Sequence, residues 1–444
     1  MKVSYPVRIA LIAALGGFLF GFETAVISGA EKTIQQLWNL SPFWQGFTVA
    51  SSLIGTVLGS LVAGLPARRF GRKKVLIAVA LLYLVSAIGC ASIHVWVLFI
   101  VFRFVGGIAV GASSVVGPMY ISEISPSALR GRLAGSFQLN IVMGIFVALL
   151  TNFLFKDFGD DSWRWMLGVM VVPAAVFALL VRRIPESPRW LILNDRESEA
   201  IPILGRIGNT DAAGTIADIR SSVSHHSERL FQKKFIRPIS YAVLLAMFNQ
   251  LSGINAIFYY APRIFEMAGF DKAHSFLQPV YIGAANLVFT LLAMTMIDRF
   301  GRKKLLLIGS VGMILFLALT ASALMVSTGQ SNGMVVVYLI GFIAFFAFSQ
   351  GAVVWVFISE IFPNSVRSQG GSLGSFTHWI MAAIISWVFP YVASILKGNI
   401  HIGVVYAFVF FALMMVVHLF FVWKVLPETK GKSLEHIQQQ LGIE

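Results

Sequence analysis

The stretch RFGRKKVLIA at 69–78 returns as RFGRKKLLLI at 299–308. Two more pairs flank it in the same order: YISEISPSALRG at 120–131 answers FISEIFPNSVRS at 357–368, and IPESPRWL at 184–191 answers LPETKGKSL at 426–434. Matched loops recurring in order about half a chain apart mark a duplicated half. Two parallel halves related by an axis along a membrane normal support alternating access, with a substrate site at the midplane.

Between the repeated loops the chain is apolar. Of its 444 residues, 57% are hydrophobic and 12% charged, against about 25% charged in soluble domains. Mean hydropathy is +0.80. Apolar stretches long enough to cross about 30 Å of hydrocarbon fall near 8–30, 45–67, 75–95, 96–122, 132–155 and 164–182. They recur near 239–265, 276–297, 305–326, 335–358, 369–396 and 402–424. The first is followed at once by others and has no cleavage site before a soluble domain, so it reads as a helix. The expected fold is an all-α membrane protein with twelve transmembrane helices in two six-helix halves. Expected boundaries are 1–184 and 239–425 for the halves, 185–238 for a linker and 426–444 for a tail. The linker segment RWLILNDRESEAIPILGRI, at 189–207, alternates apolar and charged residues at helical spacing and predicts short amphipathic cytoplasmic helices.

The net charge of +14 sits in the loops, at Arg68, Arg69, Arg72, Lys73 and Lys74, at Arg299, Arg302, Lys303 and Lys304, and along 182–238. All these loops lie on one side of the spans, and short basic loops stay cytoplasmic. Both termini are therefore expected inside, and the charge is a topology signal rather than a nucleic-acid footprint. Cys90 is the single cysteine and lies in an apolar stretch, which leaves no disulfide framework or thiolate cluster. Neither a phosphate loop nor an HExxH motif occurs, and no nucleophile stands with a His and an acid in a recognisable order. His225 and His226 read as solvent-exposed rather than metal-binding. The expectation is a transporter without cofactor or metal, not an enzyme.

The repeated loops also pair by chemistry. Arg69, Arg72, Arg130, Arg299, Arg302 and Arg367 can meet the carboxylates of Glu123, Glu186, Glu360 and Glu428 in a cytoplasmic latch. The alternative is that these cations only set topology and snorkel.

Within the spans, an ionisable group is costly unless paired or facing a cavity. Glu23 and Arg103 lie on antiparallel spans at matched depth, roughly 10 Å in at 1.5 Å per residue. Burial favours the neutral acid and a guanidinium favours the carboxylate, which is what proton coupling requires; a permanent packing pair is the other reading. Uncharged amides suit a hydroxyl-rich solute, because each hydroxyl both donates and accepts. Gln138, Asn249, Gln250, Asn255 and Asn286, with His378 beside Trp379, are the candidates, and Gln250, Asn286 and Trp379 share the midplane depth. Trp355, Trp379, Phe20 and Tyr260 offer aromatic faces. Single amides in a span also serve as interhelical glue.

Taken together, GGFLFGFETAVISG (16–29), RFGRKK twice, RFVGGIAVG (103–111), PMYISE (118–123), PESPR (185–189), QLSGINAIFYY (250–260) and PETKG (427–431) make the chain resemble the sugar porter family of the major facilitator superfamily over nearly its whole length. The resemblance implies sugar ligands at Gln138, Gln250, Asn255, Asn286, Trp355 and Trp379, and proton symport where the Glu23 position is acidic. Departures are Arg68 in place of an acidic or amide residue, Asn249 in place of Gln, Glu23 in place of Asp, and SQGAVVW (349–355) without its proline.

The expected function is proton-driven symport of a monosaccharide by a monomer in a lipid bilayer, in a bacterial inner membrane. A facilitative sugar or polyol uniporter is the alternative, and a transporter-derived nutrient sensor the more distant one.

Overall fold

The computed structural model describes residues 4–126, 129–209, 211–221, 228–326, 332–363, 365–395, 400–431, 439, 441 and 443. Among them every regular element is helical. His225 and His226 lie outside the described residues, as does the side chain of Asp298.

The N-terminal half contains α1 (Tyr5–Leu37), α2 (Pro42–Val62), α3 (Gly64–Phe70), α4 (Arg72–Ser92), α5 (Trp96–Ile124), α6 (Arg130–Phe155), α7 (Ser162–Gly168) and α8 (Val171–Val181). Short helices α9 (Pro188–Leu193), α10 (Glu197–Arg206) and α11 (Ala212–Ser221) follow. The C-terminal half holds α12 (Ile236–Leu251), α13 (Ile254–Tyr259), α14 (Ala261–Met267), α15 (Lys272–Phe300) and α16 (Arg302–Val326). It continues with α17 (Gly333–Phe348), α18 (Gln350–Ile361), α19 (Arg367–Ile395) and α20 (Ile400–Lys424). Among the described residues, twelve helical stretches are long and apolar enough to cross a membrane.

Three expected spans differ in detail. The first was expected over 8–30 but runs on to Leu37, because the polar residues Glu31 to Gln36 keep helical geometry beyond the apolar window. The seventh, expected unbroken over 239–265, is interrupted at Gly253, whose φ of 82° is a left-handed conformation open to glycine. The tenth, expected unbroken over 335–358, breaks at Ser349, with φ −116° and ψ −91°, although no proline stands there.

By contacts the chain divides into two compact units, 1–24 with 54–145 and 167–227, and 25–53 with 146–166 and 228–444. In the first, α1 and α6 approach through paired glycines: a Cβ at Gly21 would overlap the Ile141 carbonyl, and one at Gly144 the Phe18 carbonyl. Small residues permit this backbone contact in membranes. Trp190, Leu191, Ile192, Ala200, Leu204 and Ile207 form a separate apolar cluster under α9 and α10, and the Trp190 indole donates to the Arg68 carbonyl at 2.7 Å. The expected amphipathic helices are present. In the second unit a core runs from Phe235 and Leu245 through Leu305 and Val353 to Phe357 and Val422.

Candidate functional site

Each copy of RFGRKK makes a charged helix start. Gly71 (φ 95°) and Gly301 (φ 87°) turn the chain into α4 and α16, leaving unpaired N–H groups at the helix N-termini. Glu186 accepts from the Arg72 N–H at 2.8 Å and the Lys73 N–H at 3.1 Å. Glu428 does the same for Arg302 and Lys303, at 3.0 Å each. Negative charge there also complements the helix dipole. The Arg72 guanidinium grips Glu123 with two bonds of 2.8 Å. Arg302 grips Glu360 at 2.7 and 3.2 Å, and the Thr429 hydroxyl donates to Glu360 at 2.6 Å.

Four of the six arginines expected in the latch have no carboxylate partner among the described residues. Arg69 is exposed and lies over the Phe70 ring at 5.3 Å. Arg130 is exposed at the start of α6. Arg299 is exposed and its carbonyl accepts from Lys430. Arg367 donates to the Phe362 carbonyl at 3.4 Å. Among the described residues, Arg72 meets Glu123 and Glu186, and Arg302 meets Glu360 and Glu428, each set inside one unit.

In the first unit Arg103, 1% exposed, donates from Nη1 to Glu23, 3% exposed. Glu23 rests against Gly106, where a Cβ would crowd its carboxylate. Arg103 and Gly106 are one helical turn apart, so they present the same face of α5 to α1. Nε of Arg103 has no hydrogen-bond partner among the described residues. Phe20 and Gln138 lie in this unit too, both half-buried.

In the second unit the break at Gly253 folds the end of α12 onto the start of α13. Asn255 Nδ2 donates to Gln250 Oε1 at 2.8 Å, and Gln250 Nε2 donates to Asn249 Oδ1 at 3.1 Å. The same Nε2 stands 3.1 Å from Nε2 of His378, on α19. His378 carries the network to aromatic rings, with Trp355 at 4.7 Å and Trp379 at 4.9 Å between centroids. Gln250, Asn249, His378 and Trp379 are buried; Asn255 and Trp355 are half-buried. Six of the residues expected at the sugar are thus one connected group of amides, an imidazole and indoles. Asn286 is buried on α15 outside this network. Tyr260, also expected at the sugar, donates from its hydroxyl to the Ser386 carbonyl at 2.9 Å, and its ring stacks on Phe389.

The sequence reading missed two polar groups. Glu31 on α1 is held by Gln45 and Arg263, and Arg263 also donates to Gln35, while Lys32 pairs with Glu266. His418, fully buried on α20, meets Ser310 and Gln350. Glu31 lies two turns after Glu23 on the same helix, which was the available signal.

The chain matches the family model described as sugar (and other) transporter over residues 9–441. It is 36% identical to the arabinose-proton symporter of Bacillus subtilis (strain 168), covering 99% of this chain and 95% of that protein. It is 35% identical to the D-xylose-proton symporter of Escherichia coli (strain K12), over 98% and 95%. Among solved structures, the inward-open conformation of the xylose transporter XylE from E. coli superposes with a TM-score of 0.86 at 33% identity, covering 98% of this chain and all of that one. With that likeness, the twelve helices in two six-helix halves are the major facilitator fold. The chain belongs to the sugar transporter family of that superfamily.

Proposed function

We propose that the chain couples monosaccharide uptake to proton movement by alternating access. Supporting this reading is the coexistence of two groups in the membrane interior: an uncharged, hydrogen-bonding amide and indole cluster suited to hydroxyls, and a buried acid, Glu23, whose counter-ion Arg103 is itself buried. The relatives named as arabinose-proton and D-xylose-proton symporters carry the same assignment in their names.

In this mechanism a proton delivered to Glu23 cancels its charge and frees Arg103, whose desolvated guanidinium then seeks another acceptor. Sugar binds at Gln250, Asn255, Asn249, His378, Trp355 and Trp379, with Gln138, Phe20, Asn286 and Tyr260 carried as further candidates on the sequence reading. Closure rocks the halves, and on the inner side release of the proton favours release of the sugar. Reciprocity of binding requires that each ligand raise the affinity for the other by the same factor. The Arg72 and Arg302 sets brace the cytoplasmic ends of the bundles.

The helical halves are assigned to 1–184 and 239–425, with a linker at 185–238 and a tail at 426–444. The protein is placed as a monomer in a bacterial inner membrane with both termini cytoplasmic, and with no part in enzymatic chemistry or nucleic-acid binding. The deciding experiment is uptake of labelled pentoses and hexoses into proteoliposomes. Accumulation above equilibrium under an inward proton gradient, abolished by a protonophore, is expected. Equilibration unaffected by the gradient would establish the uniporter instead.

A further inference from the structure

The break in the tenth span is surrounded by polar groups that the sugar site does not use. Ser349 packs on Gly309 of α16 so closely that a Cβ there would overlap its side chain. The next residue, Gln350, begins α18, and its Nε2 lies 3.3 and 3.4 Å from the two ring nitrogens of His418 on α20. Ser310 Oγ stands 2.8 Å from His418 Nδ1. The same hydroxyl lies 2.7 Å from the Leu306 carbonyl; assigning its proton there makes Nδ1 the donor and leaves Nε2 of the neutral ring to accept from Gln350. Ser310, Gln350 and His418 are all fully buried. The His418 ring also meets Phe248, at 5.5 Å between ring centroids, just before Asn249 and Gln250. One imidazole therefore touches both interrupted spans beside their breaks.

We propose that His418 is a positioning residue for transport, fixing through Gln350 the point about which α18 turns. The segment so anchored is twelve residues long. It carries Trp355 against His378 in the amide cluster and Glu360 in the grip of Arg302. It is no longer continuous with α17, and at its first residue, Gln350, it is held to α20 by His418, while Val353 and Phe357 pack its buried face into the core. Three elements, α16, α18 and α20, meet at that pivot through Ser310, Gln350 and His418. This assignment rests on the transport reading above, with sugar contacted from α18.

The test compares His418→Leu, His418→Gln and the double variant His418→Leu with Gln350→Leu, each purified as full chain and reconstituted. The expected result for His418→Leu is turnover about tenfold lower with KM shifted less, the size of effect that residues on a coupled element produce. Amide exchange measured by mass spectrometry should quicken within 350–361 alone. His418→Gln, which can still accept from Gln350, should restore both. The double variant leaves no orphaned amide at the pivot, so it should fold well and remain slow. Wild-type turnover and exchange in His418→Leu would overturn the proposal, as would recovery of transport in the double variant, since only unsatisfied polar atoms would then have mattered. If His418→Leu does not fold, the double variant decides by the same two readouts. If no sugar flux appears even in the wild type, the transport reading falls, and exchange within 350–361 still decides for or against the pivot.

Discussion

Arg263 Nε lies 3.1 Å from Glu31 Oε1, in an ion pair whose side chains are 13% and 1% exposed. Gln45 donates to the other carboxylate oxygen, and Arg263 Nη2 donates to Gln35 at 2.7 Å. The pair joins α1 of the N-terminal half to α14 of the C-terminal half within one compact unit. Removing one partner strands the other, at a cost of about 3–5 kcal/mol. Arg263→Leu should therefore lower the thermal midpoint in detergent by several degrees, whereas Glu31→Gln with Arg263→Gln should recover most of the loss. A double-mutant cycle measures the coupling, and additive losses would show that the two do not act together.

Glu23→Gln keeps the shape of the side chain and removes its titration. Accumulation against a sugar gradient should vanish, while exchange of labelled for unlabelled sugar across the bilayer persists. Since one pH unit is worth 1.36 kcal/mol, a wild-type symporter moving one proton per sugar should reach about tenfold accumulation per unit of gradient. Undiminished accumulation in Glu23→Gln would make the pair with Arg103 a packing element.

Gln250 is the node of the amide cluster, bonded to Asn249, Asn255 and His378. Its replacement by Ala should raise KM for sugar about 3- to 10-fold, the worth of one or two neutral hydrogen bonds. Tyr260→Phe removes only the bond to Ser386, so it should act on stability and leave KM within about twofold of wild type. Equilibrium sugar binding by tryptophan fluorescence reads both.

The basic residues separate by partner. Arg72→Lys and Arg302→Lys keep charge but lose the two-pronged grip on Glu123 and Glu360, and Lys does not replace Arg at such sites. Transport should fall severalfold in each. Arg69→Ala and Arg130→Ala, whose side chains are exposed, should stay within about twofold, as exposed charges contribute about 0–1 kcal/mol. Equal losses in all four would restore the six-arginine latch.

The twelve spans, the duplicated loops and the Glu23–Arg103 pair were legible in the sequence because each has a local or depth-based signature. Hydropathy could not reveal the breaks at Gly253 and Ser349, since the windows around them stay apolar. Spacing named six arginines near helix ends but could not tell which pointed inward. Only Arg72 and Arg302 follow a left-handed glycine and so begin the next helix. Glu31, Arg263 and His418 meet partners on helices remote in sequence, which a single chain without its fold does not disclose.

Each compact unit carries its own capping set, and that of the first unit reaches beyond the six helices to Glu186 and Trp190. Fission of the polypeptide between Lys73 and Glu186 would put α4 and its carboxylate clamp on different fragments. A split placed between Ser221 and Glu228 instead leaves both clamps whole, so two separately translated fragments divided there should reassemble into a working carrier, and fragments divided at residue 184 should not.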